Sequence, residues 1–118
     1  MGSYTKDDLK MLVQVGFVAC MHGEVGEARN IFGNLLEYDP ELKQASIGMA
    51  LSHIVVDEFK LGDEILDGLP QDDDVMSIKV LSLGLQKRAD EARNAFASVR
   101  DKGTPEAKMA ALVLECIE

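Results

Sequence analysis

The sequence predicts an all-helical protein built from repeated helix pairs. Two of its segments are close copies of each other, Gly-Glu-Ala-Arg-Asn-Ile-Phe at 26–32 and Asp-Glu-Ala-Arg-Asn-Ala-Phe at 90–96. Apolar residues recur at helical spacing along the chain, and no strand-like alternation extends beyond a few positions. Only three prolines interrupt the 118 residues. A helical sequence that copies itself indicates an architecture of stacked repeats.

The first helix pair is expected to begin at Thr5. Thr5 and Asp8 match a capping box, in which each side chain accepts a hydrogen bond from the other residue's amide. Gly23 should end this helix, because glycine readily adopts the left-handed backbone of a helix end. The second helix is expected from about Val25, and its apolar positions are Ala28, Ile31, Phe32, Leu35 and Leu36.

The second helix pair follows Asp39-Pro40, which predicts a helix start because Asp caps free amides and Pro suits the first helical turn. Asp57-Glu58 opens the second helix of this pair, and Pro70 ends it. The apolar positions are Ile47, Ala50, Leu51, Ile54 and Val55 on the first helix, and Phe59, Ile65, Leu66 and Leu69 on the second.

A third pair and a final helix complete the chain. Asp72-Asp73-Asp74 is expected to cap the fifth helix, the sixth ends at Gly103, and Thr104-Pro105 opens the last one. Their apolar positions are Met76, Val80, Leu81, Leu83 and Leu85, then Ala92, Ala95, Phe96 and Val99, then Met109, Leu112, Val113 and Ile117.

Helix pairs that recur at about 34 residues are the signature of tetratricopeptide repeats. In the first pair the repeat pattern falls on Leu12, Val15-Gly16, Ala19, Ala28, Phe32 and Pro40. The small residue of the second helix, where two helices approach closely, recurs as Ala28, Gly62 and Ala92, at intervals of 34 and then 30 residues. The second repeat is therefore expected to be about four residues shorter than the consensus.

These patterns predict three degenerate tetratricopeptide-like helix pairs plus a C-terminal helix, arranged as a right-handed superhelical stack. Residues 5–118 should form this single domain, and residues 1–4 are interpreted as a disordered N-terminus or an expression-vector remnant. Repeats of this kind cannot bury an apolar face alone, so several must stack.

In such a stack the first helix of each pair lines a concave face. The residues predicted to form a partner-binding groove there are mostly apolar: Val13, Phe17, Cys20, Met21, Ile47, Leu51, Ile54, Val55, Leu81 and Leu85. The first and third helices are apolar almost all round, which predicts burial on both sides. Two interpretations stay open, since the last helix could cover this surface completely or leave part of it as a groove.

Composition excludes several classes of partner. A formal charge of −9 argues against binding to nucleic acids and anionic membranes, because like charges repel. Cys20 and Cys116 stand far apart in no paired motif, which favours two packed thiols in a reducing cytosol. The sequence shows no signal-peptide pattern and no apolar run long enough for a transmembrane helix.

No catalytic residue, metal or cofactor is expected. His53 takes the aromatic position of its repeat, so a packed histidine is favoured over a catalytic one. Asp72-Asp73-Asp74 lacks the spacing, Gly and distal Glu of a calcium loop, and helix capping accounts for it better. The chain has no phosphate loop, dinucleotide fingerprint or nucleophile elbow.

Two further stretches, Gly-Phe-Val-Ala-Cys-Met-His-Gly at 16–23 and Ile-Gly-Met-Ala-Leu-Ser at 47–52, carry a family resemblance. Together with the length, the acidity and the three repeats, they resemble the small tetratricopeptide-type chaperones of the needle subunit in bacterial type III secretion systems. The resemblance implies a chaperone of the bacterial cytoplasm that holds the amphipathic C-terminal helix of the needle subunit in an apolar groove and prevents its polymerisation. It also implies a second small helical co-chaperone, in a heterotrimer. The alternatives are a generic tetratricopeptide scaffold and a chaperone for another secretion-system protein.

Overall fold

The computed structural model describes residues 4–97, which form six α-helices and no strand. The helices are α1 (Lys6–Met21), α2 (Val25–Tyr38), α3 (Lys43–Ile54), α4 (Phe59–Asp67), α5 (Asp73–Leu85) and α6 (Ala89–Phe96). The predicted all-α class is confirmed for this part of the chain. The helix predicted after Thr104 and the predicted end of the sixth helix at Gly103 lie outside the described residues.

The chain divides into two compact units, residues 1–65 and the residues from Leu66 onward. The first unit contains α1, α2, α3 and most of α4, and the second contains α5 and α6. Each unit has buried apolar residues of its own. The single domain and the superhelical stack stay predictions.

The capping box predicted at Thr5 is present. The Thr5 hydroxyl oxygen accepts from the Asp8 N–H at 3.0 Å, and the Asp8 carboxylate accepts from the Thr5 N–H at 3.0 Å. Asp7 and Asp8 also place negative charge at the positive end of the α1 dipole. Just before this cap, the ring of Tyr4 lies edge-on to Tyr38 at the end of α2, with 4.9 Å between centroids. Tyr4, one of the residues 1–4, therefore has a packed partner.

The same turn follows α1, α3 and α5. Its central residue has a left-handed backbone, at Gly23 with φ 77°, Asp57 with φ 65° and Lys87 with φ 61°. In each turn the next N–H reaches back across the helix end in the Schellman arrangement. These bonds run from Glu24 N to Ala19 O at 2.8 Å, from Glu58 N to His53 O at 2.9 Å, and from Arg88 N to Leu83 O at 2.9 Å. The central residues are 34 and 30 positions apart, so the predicted unequal spacing is confirmed in the turns.

The core of the first unit is centred on Phe32 of α2, which is fully buried. A β-carbon on Gly16 of α1 would lie 2.5 Å from Cζ of Phe32, and a β-carbon on Gly48 of α3 would lie closer still. Both helices therefore meet the ring with bare backbone. Phe17 packs edge-on against the same ring, with 5.5 Å between centroids.

Nearly every position of α3 is closed to solvent or half-buried. Its buried residues are Ala45, Ile47, Gly48, Ala50, Leu51, Ser52 and Ile54. Both α1 and α2 pack against it, and α4 approaches it at Gly62. A β-carbon on Gly62 would lie 2.6 Å from Cγ1 of Ile54 and 3.0 Å from the carbonyl oxygen of Ala50. The prediction that Gly62 marks a close approach of two helices is confirmed.

The predicted helix start at Asp39-Pro40 is wrong, because α3 begins at Lys43. These two residues form a turn instead. The Leu42 N–H donates to the carbonyl oxygen of Asp39 at 3.1 Å, and the Glu41 N–H donates to the Asp39 carboxylate at 3.0 Å. Asp followed by Pro suits the first two positions of a β-turn as well as a helix start, which explains the error.

In the second unit, the predicted acidic cap of α5 is confirmed at Asp72, whose carboxylate accepts from the Val75 N–H at 3.1 Å. Val80 of α5 and Ala92 of α6 are fully buried against each other. The partly buried residues packed beside them are Leu83, Ala95 and Phe96. The second copy of the repeated segment thus places its small residue, Ala92, at a helix contact.

Candidate functional site

The ten residues predicted to line a groove differ in burial. Six are closed to solvent: Val13, Cys20, Ile47, Leu51, Ile54 and Leu81. Phe17 and Val55 are half-buried, whereas Met21 and Leu85 are exposed. The structure therefore leaves an accessible surface at only a minority of the predicted positions.

The three α3 positions in this set are core residues, whereas the sequence predicts a groove wall there. Ile47, Leu51 and Ile54 have no exposed surface. The physical reason is that α1 and α2 pack on α3 and that Gly62 lets the α4 backbone reach Ile54. A partner could touch these side chains only by displacing part of the first unit.

An apolar surface lies on α1, and of its four residues only Met21 belongs to the predicted groove. Met11, Val15, Val18 and Met21 are exposed, with accessible fractions of 56%, 48%, 57% and 48%. They follow one another at intervals of four, three and three residues, the spacing that places side chains on one side of a helix. These four residues are called the α1 outer face below.

The α1 outer face lies opposite the side of the helix that packs into the core. The buried residues of α1 are Val13, Gly16, Ala19 and Cys20, and they alternate with the exposed ones at helical spacing. The sequence predicts burial on both sides of α1 because apolar residues surround it. The structure buries one side only, and the other side remains an apolar surface in contact with water.

Charged residues lie near the N-terminal end of this face. Asp7 and Asp8 precede Met11 by one helical turn, and Lys10 is also exposed. The Asp8 carboxylate is already engaged in the cap. The chain as a whole carries a formal charge of −9, so an approaching partner meets an acidic protein with an apolar strip on its first helix.

A second cluster joins α2 to the turn after α3. Its centre is Arg29, whose Nε donates to the Ser52 hydroxyl at 3.1 Å. One terminal nitrogen of the guanidinium donates to the Ser52 carbonyl at 3.3 Å and to Oε1 of Glu58 at 2.6 Å. The same nitrogen lies 3.0 Å from Nδ1 of His53. Arg29 thus fastens the second helix of one pair to the first helix of the next.

The same cluster sets the electrostatics of Glu58. Its Oε1 lies 3.0 Å from Nδ1 of His53 as well as 2.6 Å from Arg29. The hydrogen bond with His53, followed by the one with Arg29, lowers the pKa of the Glu58 carboxyl below its ordinary value. His53 is half-buried and contacts both Arg29 and Glu58 in this cluster.

Cys20 is a buried free thiol. Its sulfur lies 4.0 Å from the carbonyl oxygen of Gly48, and burial raises the pKa of the thiol to about 11, although Arg29 nearby works in the opposite direction. The prediction of a packed thiol is confirmed for Cys20, and Cys116 lies outside the described residues. A thiol with so high a pKa is a poor nucleophile at neutral pH.

Within residues 4–97, no three acidic, histidine or cysteine side chains come together in a way that could hold a metal ion. No helix in this range is long and apolar enough to cross a membrane.

No protein-family model matches the chain, and no curated protein or solved structure resembles it at a significant level.

Proposed function

We propose that this protein is a helix-binding chaperone that holds an amphipathic helix of a partner against the α1 outer face. The exposed strip of Met11, Val15, Val18 and Met21 is the observation that carries the proposal. An amphipathic partner helix with apolar side chains at i, i+3, i+4 and i+7 matches the spacing of such a strip. Covering the strip removes apolar surface from water, which is the main driving force of association.

The charge of the chain favours a basic partner. At a formal charge of −9, an acidic helix would be repelled, whereas lysine or arginine beside the apolar side of the partner helix would be attracted. Methionine at both ends of the strip supports the same role, because its flexible side chain adapts to the shape of the helix that it contacts. The occupant that we propose is therefore a basic amphipathic helix.

The proposed cellular role rests on the family resemblance. We propose that the client is the needle subunit of a bacterial type III secretion system and that the complex forms in the cytoplasm, with a second small helical co-chaperone as a further member. A subunit that assembles through apolar helical surfaces has to be kept monomeric before export, and covering one such helix achieves this without breaking any bond. Phe17 and Val55, which belong to the predicted groove and are half-buried in the first unit, are proposed as additional contacts.

Co-expression tests this function. The chain is produced with a needle subunit, with and without a second small helical protein from the same secretion system, and the soluble fraction is analysed by size-exclusion chromatography and light scattering. We expect a soluble complex in which the needle subunit stays unpolymerised. Polymerisation to the same extent with and without the chain would contradict the chaperone role and favour the alternative of a generic scaffold.

A further inference from the structure

Methionines stand at both ends of the α1 outer face, and both are open to solvent. Met11 is 56% exposed and Met21 is 48% exposed. They are ten positions apart in the helix, which corresponds to about 15 Å along the axis. The other methionines that the structure describes, Met49 and Met76, are half-buried. An oxidant in solution therefore reaches the thioethers of Met11 and Met21 more easily than those of the other two.

We propose that Met11 and Met21 are oxidation sites through which a peroxide weakens the binding of a partner helix to the α1 outer face. This inference rests on the proposed function, because it concerns the regulation of the same surface. The thioether sulfur attacks one oxygen of hydrogen peroxide, and the O–O bond breaks. The sulfur loses two electrons and becomes a sulfoxide, while the departing hydroxide takes the proton of the transferred oxygen and leaves as water.

Oxidation changes the chemistry of the strip without changing its position. A sulfoxide carries a strongly polar S–O bond, and pressing that oxygen against the apolar side of a partner helix removes its water without supplying a donor. An uncompensated polar group of this kind in an interface corresponds to a loss of affinity of about tenfold or more. Val15 and Val18, between the two methionines, carry no oxidisable atom and remain unchanged.

The fold should tolerate this modification. Both methionines lie on the side of α1 opposite its packed side, where Val13, Gly16 and Cys20 are buried. Neither methionine is among the buried residues of α1. Loss of binding and loss of folding can therefore be separated, and replacing both methionines by leucine keeps an apolar side chain of similar size while it removes the sulfur.

The experiment compares three proteins before and after limited treatment with hydrogen peroxide. They are the wild-type chain, the double variant Met11→Leu/Met21→Leu, and the control variant Met76→Leu. The binding probe is a synthetic amphipathic helical peptide with leucine on one side and lysine on the other, without Met or Cys. Peptide mapping by mass spectrometry identifies the oxidised residues, fluorescence anisotropy measures affinity, and circular dichroism measures the melting temperature.

We expect Met11 and Met21 to be oxidised before Met49 and Met76. The affinity of the wild type and of Met76→Leu should then fall about tenfold or more, with the melting temperature retained. The double variant should bind equally well before and after treatment. Any one of three outcomes would overturn this inference without affecting the proposed function. These are an unchanged affinity of the oxidised wild type, oxidation of Met49 or Met76 before Met11 and Met21, and a loss of affinity in the double variant equal to that of the wild type. Failure of the untreated protein to bind the peptide would instead contradict the proposed function, and the inference with it.

Discussion

The ring of Phe32 occupies the space that a β-carbon on Gly48 would need. Gly48 lies in α3 and Phe32 in α2, and both are fully enclosed in the first unit. The contact explains why a residue that weakens helices stands in the middle of one: the loss of helix propensity is offset by a close approach that no other residue permits.

Gly48→Ala is therefore expected to destabilise the protein, although alanine favours helices. The added methyl group forces the ring or the backbone to move, at a cost of about 1–3 kcal/mol. Gly33→Ala in α2 is the matched control, because the nearest atom to its new β-carbon would be the Met49 methyl at 4.0 Å. That control should stabilise by up to about 1 kcal/mol. Urea unfolding measures both values, and equal effects at the two positions would contradict the close packing of Phe32.

Glycine should stabilise the protein at two of the three left-handed turn positions. Asp57 and Lys87 hold positive φ angles that cost a residue with a β-carbon about 1 kcal/mol, and Lys87 should gain more because Asp tolerates this geometry better. Asp57→Gly and Lys87→Gly should therefore raise the free energy of unfolding by up to about 1 kcal/mol. Lys60→Gly, inside α4, should lower it by about the same amount. Thermal melts that showed a loss at all three positions would contradict the turn geometry.

The carboxyl group of Glu58 should contribute to the pH dependence of stability. Its pKa is lowered in the folded protein from an ordinary value of 4.5, first by His53 and then by Arg29. As pH falls, the unfolded chain takes up the proton first, because its Glu58 has the higher pKa. The stabilisation is therefore present above the ordinary pKa and is lost as pH falls through the lowered pKa of the folded protein. Glu58→Gln should thus lose stability at neutral pH and match the wild type in acid. An additional Arg29→Ala substitution should shrink the difference, and a wild-type pH profile for Glu58→Gln would disprove the coupling.

A charge on the α1 outer face should abolish partner binding without unfolding the chain. Val18 is 57% exposed, so Val18→Glu should change the free energy of unfolding by no more than about 0.5 kcal/mol. Against a partner helix the same charge loses its water, which is costly. Val56→Glu is the control, since Val56 is also exposed but lies outside α1. Client recovery in a pull-down should fall for Val18→Glu and persist for Val56→Glu.

Leu51→Glu provides the opposite extreme. Because Leu51 is fully buried in α3, a carboxylate there should cost about 4 kcal/mol or more and leave little folded protein. A Leu51→Glu variant that is soluble and folded but fails to bind the client would support the predicted groove along α3. It would also contradict the assignment of Leu51 to the core.

The repeat spacing could be predicted from the sequence because small residues at helix contacts leave a trace in residue type. Ala28, Gly62 and Ala92 show the shortened second repeat directly, and the turns after α1, α3 and α5 follow the same intervals. Of the three left-handed backbone conformations in these turns, the sequence predicts only that of Gly23. Asp57 and Lys87 adopt the same geometry through Schellman hydrogen bonds, for which Lys gives no signal and Asp only a weak one.

The candidate site could not be predicted in the same way. Helices α1 and α3 are both apolar almost all round, and their sequences alone do not state which sides other helices cover. The structure covers α3 almost completely and α1 on one side only. Leu51, predicted to line the groove, is therefore buried, whereas Val18, which was not predicted, is exposed. The close contact of Gly48 with Phe32 could not be predicted either. The sequence does not show that the ring of Phe32 lies against this glycine in the folded protein.

The position of Phe32 between Gly16 and Gly48 has a consequence for how the first unit opens. One ring fills a space that belongs to two helices at once, so detaching either α1 or α3 leaves the ring without contacts on that side. The amide hydrogens of α1, α2 and α3 should therefore exchange with solvent as one cooperative group rather than helix by helix. A partner bound to the α1 outer face would therefore slow amide hydrogen exchange in α3 without contacting α3.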